Sequence, residues 1–104
     1  MLLKLDIPPN TKESKPATIR YNYGRALIQR AVITIPRGHS YLAHLEILSQ
    51  GRPVYMRGER YIEGDDSQVT LAERVILEGP PYDLVLSGWN EDDTYFHSFY
   101  VEVQ

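Results

Sequence analysis

The segment Tyr95-Phe96-His97-Ser98-Phe99-Tyr100-Val101-Glu102-Val103 decides the fold class. A β-strand sends alternate side chains to opposite faces, so Tyr95, His97, Phe99, Val101 and Val103 form one apolar row. The other row, Phe96, Ser98, Tyr100 and Glu102, is polar apart from two large aromatics. The first row reads as a core face. The second reads as a face that meets something other than water, which suits a binding or assembly module better than an enzyme.

The same alternation continues outward from this segment. Leu3, Leu5 and Ile7 alternate with Lys4 and Asp6 until Pro8-Pro9 ends the pattern, and a second strand over Thr18 to Tyr23 stops at Gly24. Ala26 to Ile35 is the longest apolar run, with Leu27, Ala31, Ile33 and Ile35 on one face and Ile28, Val32 and Thr34 on the other. Tyr41 to Leu48 puts Tyr41, Ala43, Leu45 and Ile47 on one face, opposite His44 and Glu46. Val54 to Met56 and Tyr61-Ile62 read as halves of a bent strand, or as two edge strands about Arg57-Gly58. Gln68 to Leu77 is β-like with a bulge expected at Ala72-Glu73-Arg74, and Tyr82 to Trp89 precedes the final strand. About eight short strands with regularly spaced turns predict an all-β, compact antiparallel β-sandwich of Greek-key or jelly-roll type. Length fits one domain spanning residues 1–104.

Residues 8–18 form an extended loop or arm, long for a hairpin connection in so small a domain. Either the arm stays home and residues 3–7 pair at a sheet edge, or it reaches out and completes a neighbour's sheet.

There are no cysteines, which excludes disulfides and thiolate metal sites. Leu2-Leu3 runs at once into Lys4 and Asp6, so no secretory signal is expected, and no apolar run is long enough for a membrane-spanning helix. The net charge of −3 conceals an asymmetry: residues 1–60 carry ten Lys or Arg against four acids, whereas residues 61–104 carry Arg74 against ten acids. Interleaving of the two halves would compensate these charges within one molecule; a dipolar surface would instead let one copy meet another. The basic residues are spread rather than clustered, so nucleic acid is not an expected partner.

No catalytic signature is legible. The serines lack a nucleophile elbow, no glycine-rich phosphate loop occurs, and His39, His44 and His97 lie in different segments. Glu63, Asp65 and Asp66 occupy one turn and Glu91, Asp92 and Asp93 another; together they could hold calcium, but Asp, Asn and Gly also dominate turns for backbone reasons alone. No metal or cofactor is therefore expected. The aromatics remain. Tyr21, Tyr23, Phe96 and Tyr100 are expected on outward faces with Arg20, Arg25 and Arg30 nearby, a composition enriched at protein interfaces. Trp89 either caps the core or, at the tip of the sandwich, stacks on a sugar while Asn90 and Asp92 bond its hydroxyls; the second option defines an alternative reading as a carbohydrate-binding module.

Ile35-Pro36-Arg37-Gly38-His39, Pro80-Pro81-Tyr82-Asp83-Leu84 and Gly88-Trp89-Asn90-Glu91-Asp92-Asp93-Thr94-Tyr95-Phe96-His97 together resemble small virion proteins of tailed bacteriophages. The resemblance implies a non-enzymatic structural protein, a capsid decoration (cement) protein or a small tail component, that is made in the host cytoplasm and resides in the virion. It further implies homo-oligomerisation and a major capsid or other virion protein as partner, and it carries over no binding residue.

Overall fold

The computed structural model describes residues 1–55 and 61–104; the stretch about Arg57-Gly58, for which a bent or edge strand was expected, lies outside them. Ten strands are present: β1 (Leu2–Ile7), β2 (Ala17–Asn22), β3 (Leu27–Ile28), β4 (Ala31–Ile35), β5 (Ala43–Ser49), β6 (Arg52–Pro53), β7 (Ser67–Leu71), β8 (Val75–Ile76), β9 (Asp83–Asn90) and β10 (His97–Val103). Among the described residues there is no helix.

Eight of the strands make two antiparallel sheets, ordered β1-β10-β4-β7 and β2-β9-β5-β6, while β3 and β8 form a separate ribbon. The chain crosses directly from one sheet to the other at β1→β2, β4→β5, β6→β7 and β9→β10, and by way of the β3–β8 ribbon at β2→β4 and β7→β9. This is the jelly-roll arrangement, one of the two architectures the strand spacing predicts. Since successive connections alternate between ends of the sandwich, the four direct crossings gather at the same end. Backbone hydrogen bonds tie them there: Asn10 N–H to Asp92 O, Tyr41 N–H to Gly64 O, Glu91 N–H to Leu42 O and Asn90 N–H to Thr11 O.

The alternation seen in the sequence becomes the core. Leu3, Leu5 and Ile7 of β1 lie beside Val101, Phe99 and His97 of β10, and Ala31, Ile33 and Ile35 of β4 continue the same buried layer. Ala43, Leu45 and Ile47 of β5 and Leu84 and Leu86 of β9 supply the opposing layer. Gly88 leaves no room for a side chain: a Cβ there would stand 2.5 Å from Ile7 Cδ1 of the facing sheet and 2.6 Å from the His44 carbonyl oxygen of the neighbouring strand. The hairpin between β5 and β6 turns on Gln50 and Gly51, both with positive φ (50° and 77°), the pair of left-handed residues that a tight two-residue hairpin needs.

Three expectations are corrected. The run from Ala26 to Ile35 is not one strand: Gln29 and Arg30 donate their N–H groups to the Gln104 carbonyl, the chain breaks between β3 and β4, and Ile28 therefore points into the core beside Ala31. The expected bulge at Ala72-Glu73-Arg74 is instead the break between β7 and β8. Tyr95 and Tyr41 leave the apolar rows assigned to them because β10 starts only at His97 and β5 only at Ala43; both rings are exposed. Within the single chain, β1 lies on the sheet edge beside β10.

Gly88→Ala should destabilise the fold by ~1–3 kcal/mol through overpacking against Ile7 and the His44 carbonyl, and Leu45→Ala by ~2–5 kcal/mol through cavity formation, both read by chemical denaturation. A Gly88→Ala variant as stable as the parent would refute the close approach of the two sheets.

Candidate interaction surface at the crossover end

The four crossovers bring together residues that the sequence holds far apart. Asn90 ties two of them, β1→β2 and β9→β10. Its buried side-chain amide donates to the carbonyls of Ile7 (3.2 Å) and Tyr95 (2.9 Å), while its Oδ1 accepts the Asp92 N–H at 2.9 Å. Asp92 in turn accepts the N–H groups of Thr94 (2.9 Å) and Tyr95 (3.3 Å) on Oδ1, and its Oδ2 lies 2.8 Å from His97 Nε2. The Thr94 N–H foremost, then the His97 ring, holds the Asp92 carboxyl below the usual carboxylate range. Asp65 plays the same part in the β4–β5 turn, where the N–H groups of Ser40, Gly38 and His39 lower its pKa.

Asp65 and Asp92 thus spend carboxylate oxygens on backbone N–H groups, Asp66 lies beside Arg37, and Glu63 and Glu91 lie against His44. Among the described residues no group of three His, Asp or Glu side chains is placed to hold a metal ion.

Two histidine clusters lie under the end. His39 and His97 are both buried, with ring centroids 4.6 Å apart, and His39 packs edge-on against Phe99 at 4.9 Å. His39 Nε2 lies 2.9 Å from the Ser98 carbonyl, so the nitrogen carries the proton and donates it; Nδ1 is buried with no hydrogen-bond partner. The loop that delivers His39 is bent through consecutive left-handed residues, Ser40 (φ 46°) and Tyr41 (φ 61°), a conformation that costs energy outside glycine. The second cluster is on the outer face of β5 and β9. His44 stacks on Trp89 (4.9 Å, 27° between planes), with Tyr61 edge-on to both rings. His44 Nε2 lies 2.7 Å from Glu91 Oε2; Nδ1 lies 2.8 Å from Glu63 Oε2 but is not aligned for a hydrogen bond.

The residues read as ligand-binding are thus committed to the fold. Trp89 is buried beneath His44 and Tyr61 rather than displayed at a tip, Asn90 is wholly enclosed, and Asp92 holds its own loop. The interface set also disperses. Tyr23 is a core residue whose hydroxyl donates to the Leu27 carbonyl. Tyr21 is half-buried, its hydroxyl bound to the Lys4 backbone. Tyr100 is half-buried on the outer face of β10, with the Lys4 ammonium 5.5 Å from its ring centroid. Arg25 and Arg30 are exposed at the opposite end from Phe96, and Arg30 Nε donates to Gln104 Oε1 at 2.9 Å. Arg20 is exposed on β2.

What the crossover end does display is a set of rings that the strand pattern missed. Tyr41 is 62% exposed, Tyr95 68% and Phe96 64%, on two loops joined by the Glu91–Leu42 hydrogen bond. Only Phe96 was expected outward. The signal for Tyr95 was the acidic turn Glu91-Asp92-Asp93-Thr94 before it, which delays the start of the strand. Around the rings stand Glu63, Asp65, Asp66, Glu91, Asp92 and Asp93, with Arg37 lying 3.8 Å from Asp66. A cleft of about 110 Å³ between β5 and β7, lined by Leu45, Ile47, Tyr55, Val69 and Leu71 among others, is smaller than small-molecule sites, which run to roughly 300–1,000 Å³. No protein-family profile matches the sequence, and a search of curated proteins returns no relative.

His39 supplies a pH dependence. Burial chiefly, and then the neighbouring His97, push its pKa below the ordinary imidazole value, against the opposing pull of the Ser98 carbonyl and of Asp65. A depressed histidine pKa means that the unfolded or opened chain binds the proton first, so stability is full above roughly pH 6.5 and is lost as pH falls below it. Relative to the intrinsic chemical rate at each pH, amide hydrogen exchange in residues 36–42 should therefore lose protection between pH 7 and 5, and His39→Phe should flatten that dependence. An unchanged exchange profile in the parent protein would contradict the burial of a neutral His39.

Proposed function

We propose that this chain is a non-enzymatic assembly protein, a virion component of the capsid decoration type, that docks through its crossover end. The observation that carries this reading is the group of three exposed rings, Tyr41, Tyr95 and Phe96, on rigidly tied loops. Large exposed aromatics mark contact surfaces, and Tyr and Phe are enriched at the centres of protein interfaces. Here they are presented by a buried hydrogen-bond network, so little ordering entropy opposes docking. The carboxylates around them favour a partner surface bearing Lys or Arg and give the contact its orientation.

Two further considerations support the virion assignment. The three sequence segments that resemble small phage virion proteins include both the Ile35–His39 segment and the Gly88–His97 segment, which the fold brings to this end. The jelly roll is a recurrent fold of capsid and lectin domains, although a fold hosts many functions and adds only analogy. A sugar-binding module built on Trp89, Asn90 and Asp92 is not carried forward, because all three serve the fold.

The test is made on virus particles purified from the host that carries the gene. The chain should be found in them by mass spectrometry. A Tyr95→Asp/Phe96→Asp variant, unchanged in thermal stability, should fall at least about tenfold in occupancy, the loss of roughly one hot-spot contact. Absence of the parent chain from particles would overturn the virion assignment. Full occupancy by the variant would overturn the docking end.

A further inference from the structure

Two sheet edges run side by side where β1 faces β2, and the molecule treats them differently. Met1 and Val103 exchange backbone hydrogen bonds, Val103 N–H to Met1 O at 2.8 Å and the terminal amine to Val103 O at 2.9 Å. In an antiparallel ladder, alternate residues bond to the partner strand, so Leu3, Leu5 and Ile7 face β10 while Leu2, Lys4 and Asp6 turn their N–H and C=O outward, Lys4 at the centre of the edge. Both outward groups of Lys4 are taken by one phenol: the Lys4 N–H donates to Tyr21 Oη at 3.2 Å, and the Tyr21 hydroxyl donates to Lys4 O at 2.9 Å. Lys4 and Asp6 add exposed charges, 3.4 Å apart. The β1 edge is guarded in the way that isolated edges usually are.

Among the described residues no strand pairs with the outer edge of β2. Leu45 exchanges both its backbone bonds with Ile62, so His44, Glu46 and Leu48 face β9, and Leu84, Leu86 and Gly88 of β9 are left to face β2. Their partners are Tyr21, Ile19 and Ala17, a phase that the bond from Tyr23 N–H to Tyr82 O (3.1 Å) continues. Thr18, Arg20 and Asn22 therefore point their N–H and C=O groups away from the sheet. All three side chains are exposed, and Ile19 between them is 39% exposed.

We infer that β2 is a self-association edge: two copies pair β2 antiparallel about a twofold axis at Ile19, joining two four-stranded sheets into one. The register follows from three requirements. The outward residues Thr18 and Arg20 must bond to each other across the axis, which fixes the parity of the pairing. Centring on Ile19 keeps the run from Ala17 to Tyr21 paired, whereas centring on Thr18 keeps only residues 17–19. Centring on Arg20 would oppose two guanidinium groups. The chosen register places Ile19 against its symmetry mate, covering its exposed surface, and sets Arg20 against Thr18. It also carries the Lys15 end of one strand toward the Asp83 end of the other, on both flanks, so the charges complement. This contact is distinct from the crossover end and stands whether or not the chain belongs to a particle.

The full chain contains no cysteine, so single-cysteine variants report the register directly. Ile19 and its mate form a pair without mutual hydrogen bonds, with Cα atoms about 4.5 Å apart, inside the range of about 4.4–6.8 Å that a disulfide spans. Ile19→Cys should cross-link to a covalent dimer under mild oxidation, while Arg20→Cys, displaced along the strand from its mate, should not. Light scattering of the unmodified protein should give a mass rising with concentration toward twice 12.0 kDa. Thr18→Pro removes an outward N–H only and should weaken the dimer about tenfold or more at unchanged melting temperature. A strictly monomeric parent chain at about 1 mM, or equal cross-linking of the Ile19→Cys and Arg20→Cys variants, would overturn the proposal even if Thr18→Pro failed to fold.

Discussion

One buried amide organises the crossover end of this molecule. Asn90 joins the last residue of β1 in one sheet to the end of β9 in the other, and at the same time fixes the loop that leads to β10. Its own N–H donates to Thr11 in the arm. A fully enclosed side-chain amide is tolerable only when its donors and acceptor are satisfied, and here the carbonyls that satisfy it belong to segments more than eighty residues apart in one case. The bond set therefore selects the closed jelly roll over arrangements in which the arm or the β9–β10 loop swings free. The exposed rings and carboxylates of the crossover end inherit their positions from it.

A consequence concerns charge. The chain is basic in its first sixty residues and acidic in the remainder, and every four-stranded sheet mixes early with late strands. Local compensation follows, as between the N-terminal amine and Glu102 or between Arg37 and Asp66. It is incomplete, because the jelly roll sends the β6–β7 and β9–β10 connections to the same end and both are acidic. The resulting surface is polarised by topology, with its carboxylates oriented by backbone N–H groups rather than gathered for a cation. Beneath it, His39 and His97 pack ring against ring in a site shielded from water, and burial foremost holds the His39 pKa below the ordinary imidazole value.

The tyrosines illustrate how one residue type is divided among unrelated tasks. Tyr23 fills the core and Tyr21 closes the backbone of a neighbouring edge, while Tyr41 and Tyr95 are turned to solvent. Tyr21 and Tyr23 sit two residues apart in one outward-looking segment of the sequence. Tyr21 is drawn toward β1 because both strands are edges of facing sheets, a relation that only the strand order creates. A count of aromatics thus raises an expectation of association without placing each ring.

The sequence by itself determined the β-sandwich, because apolar alternation at period two is a local property written into each strand: Leu3-Leu5-Ile7, Ile33-Ile35, Leu45-Ile47 and Phe99-Val101-Val103 all became core. It also placed His97 on the row that became core, where the ring is enclosed. Where a loop interrupts the period, local reading failed: Ile28 changed face across the break at Gln29-Arg30, and Tyr95 left the row because the acidic turn holds its backbone away from β10. The strand order, the meeting of two acidic turns at one end, the burial of Trp89 beneath His44 and the unequal protection of the β1 and β2 edges were decided by tertiary structure alone. Each depends on which strands become neighbours, and that is set by long-range closure around a shared core rather than by the residues on either side in the chain.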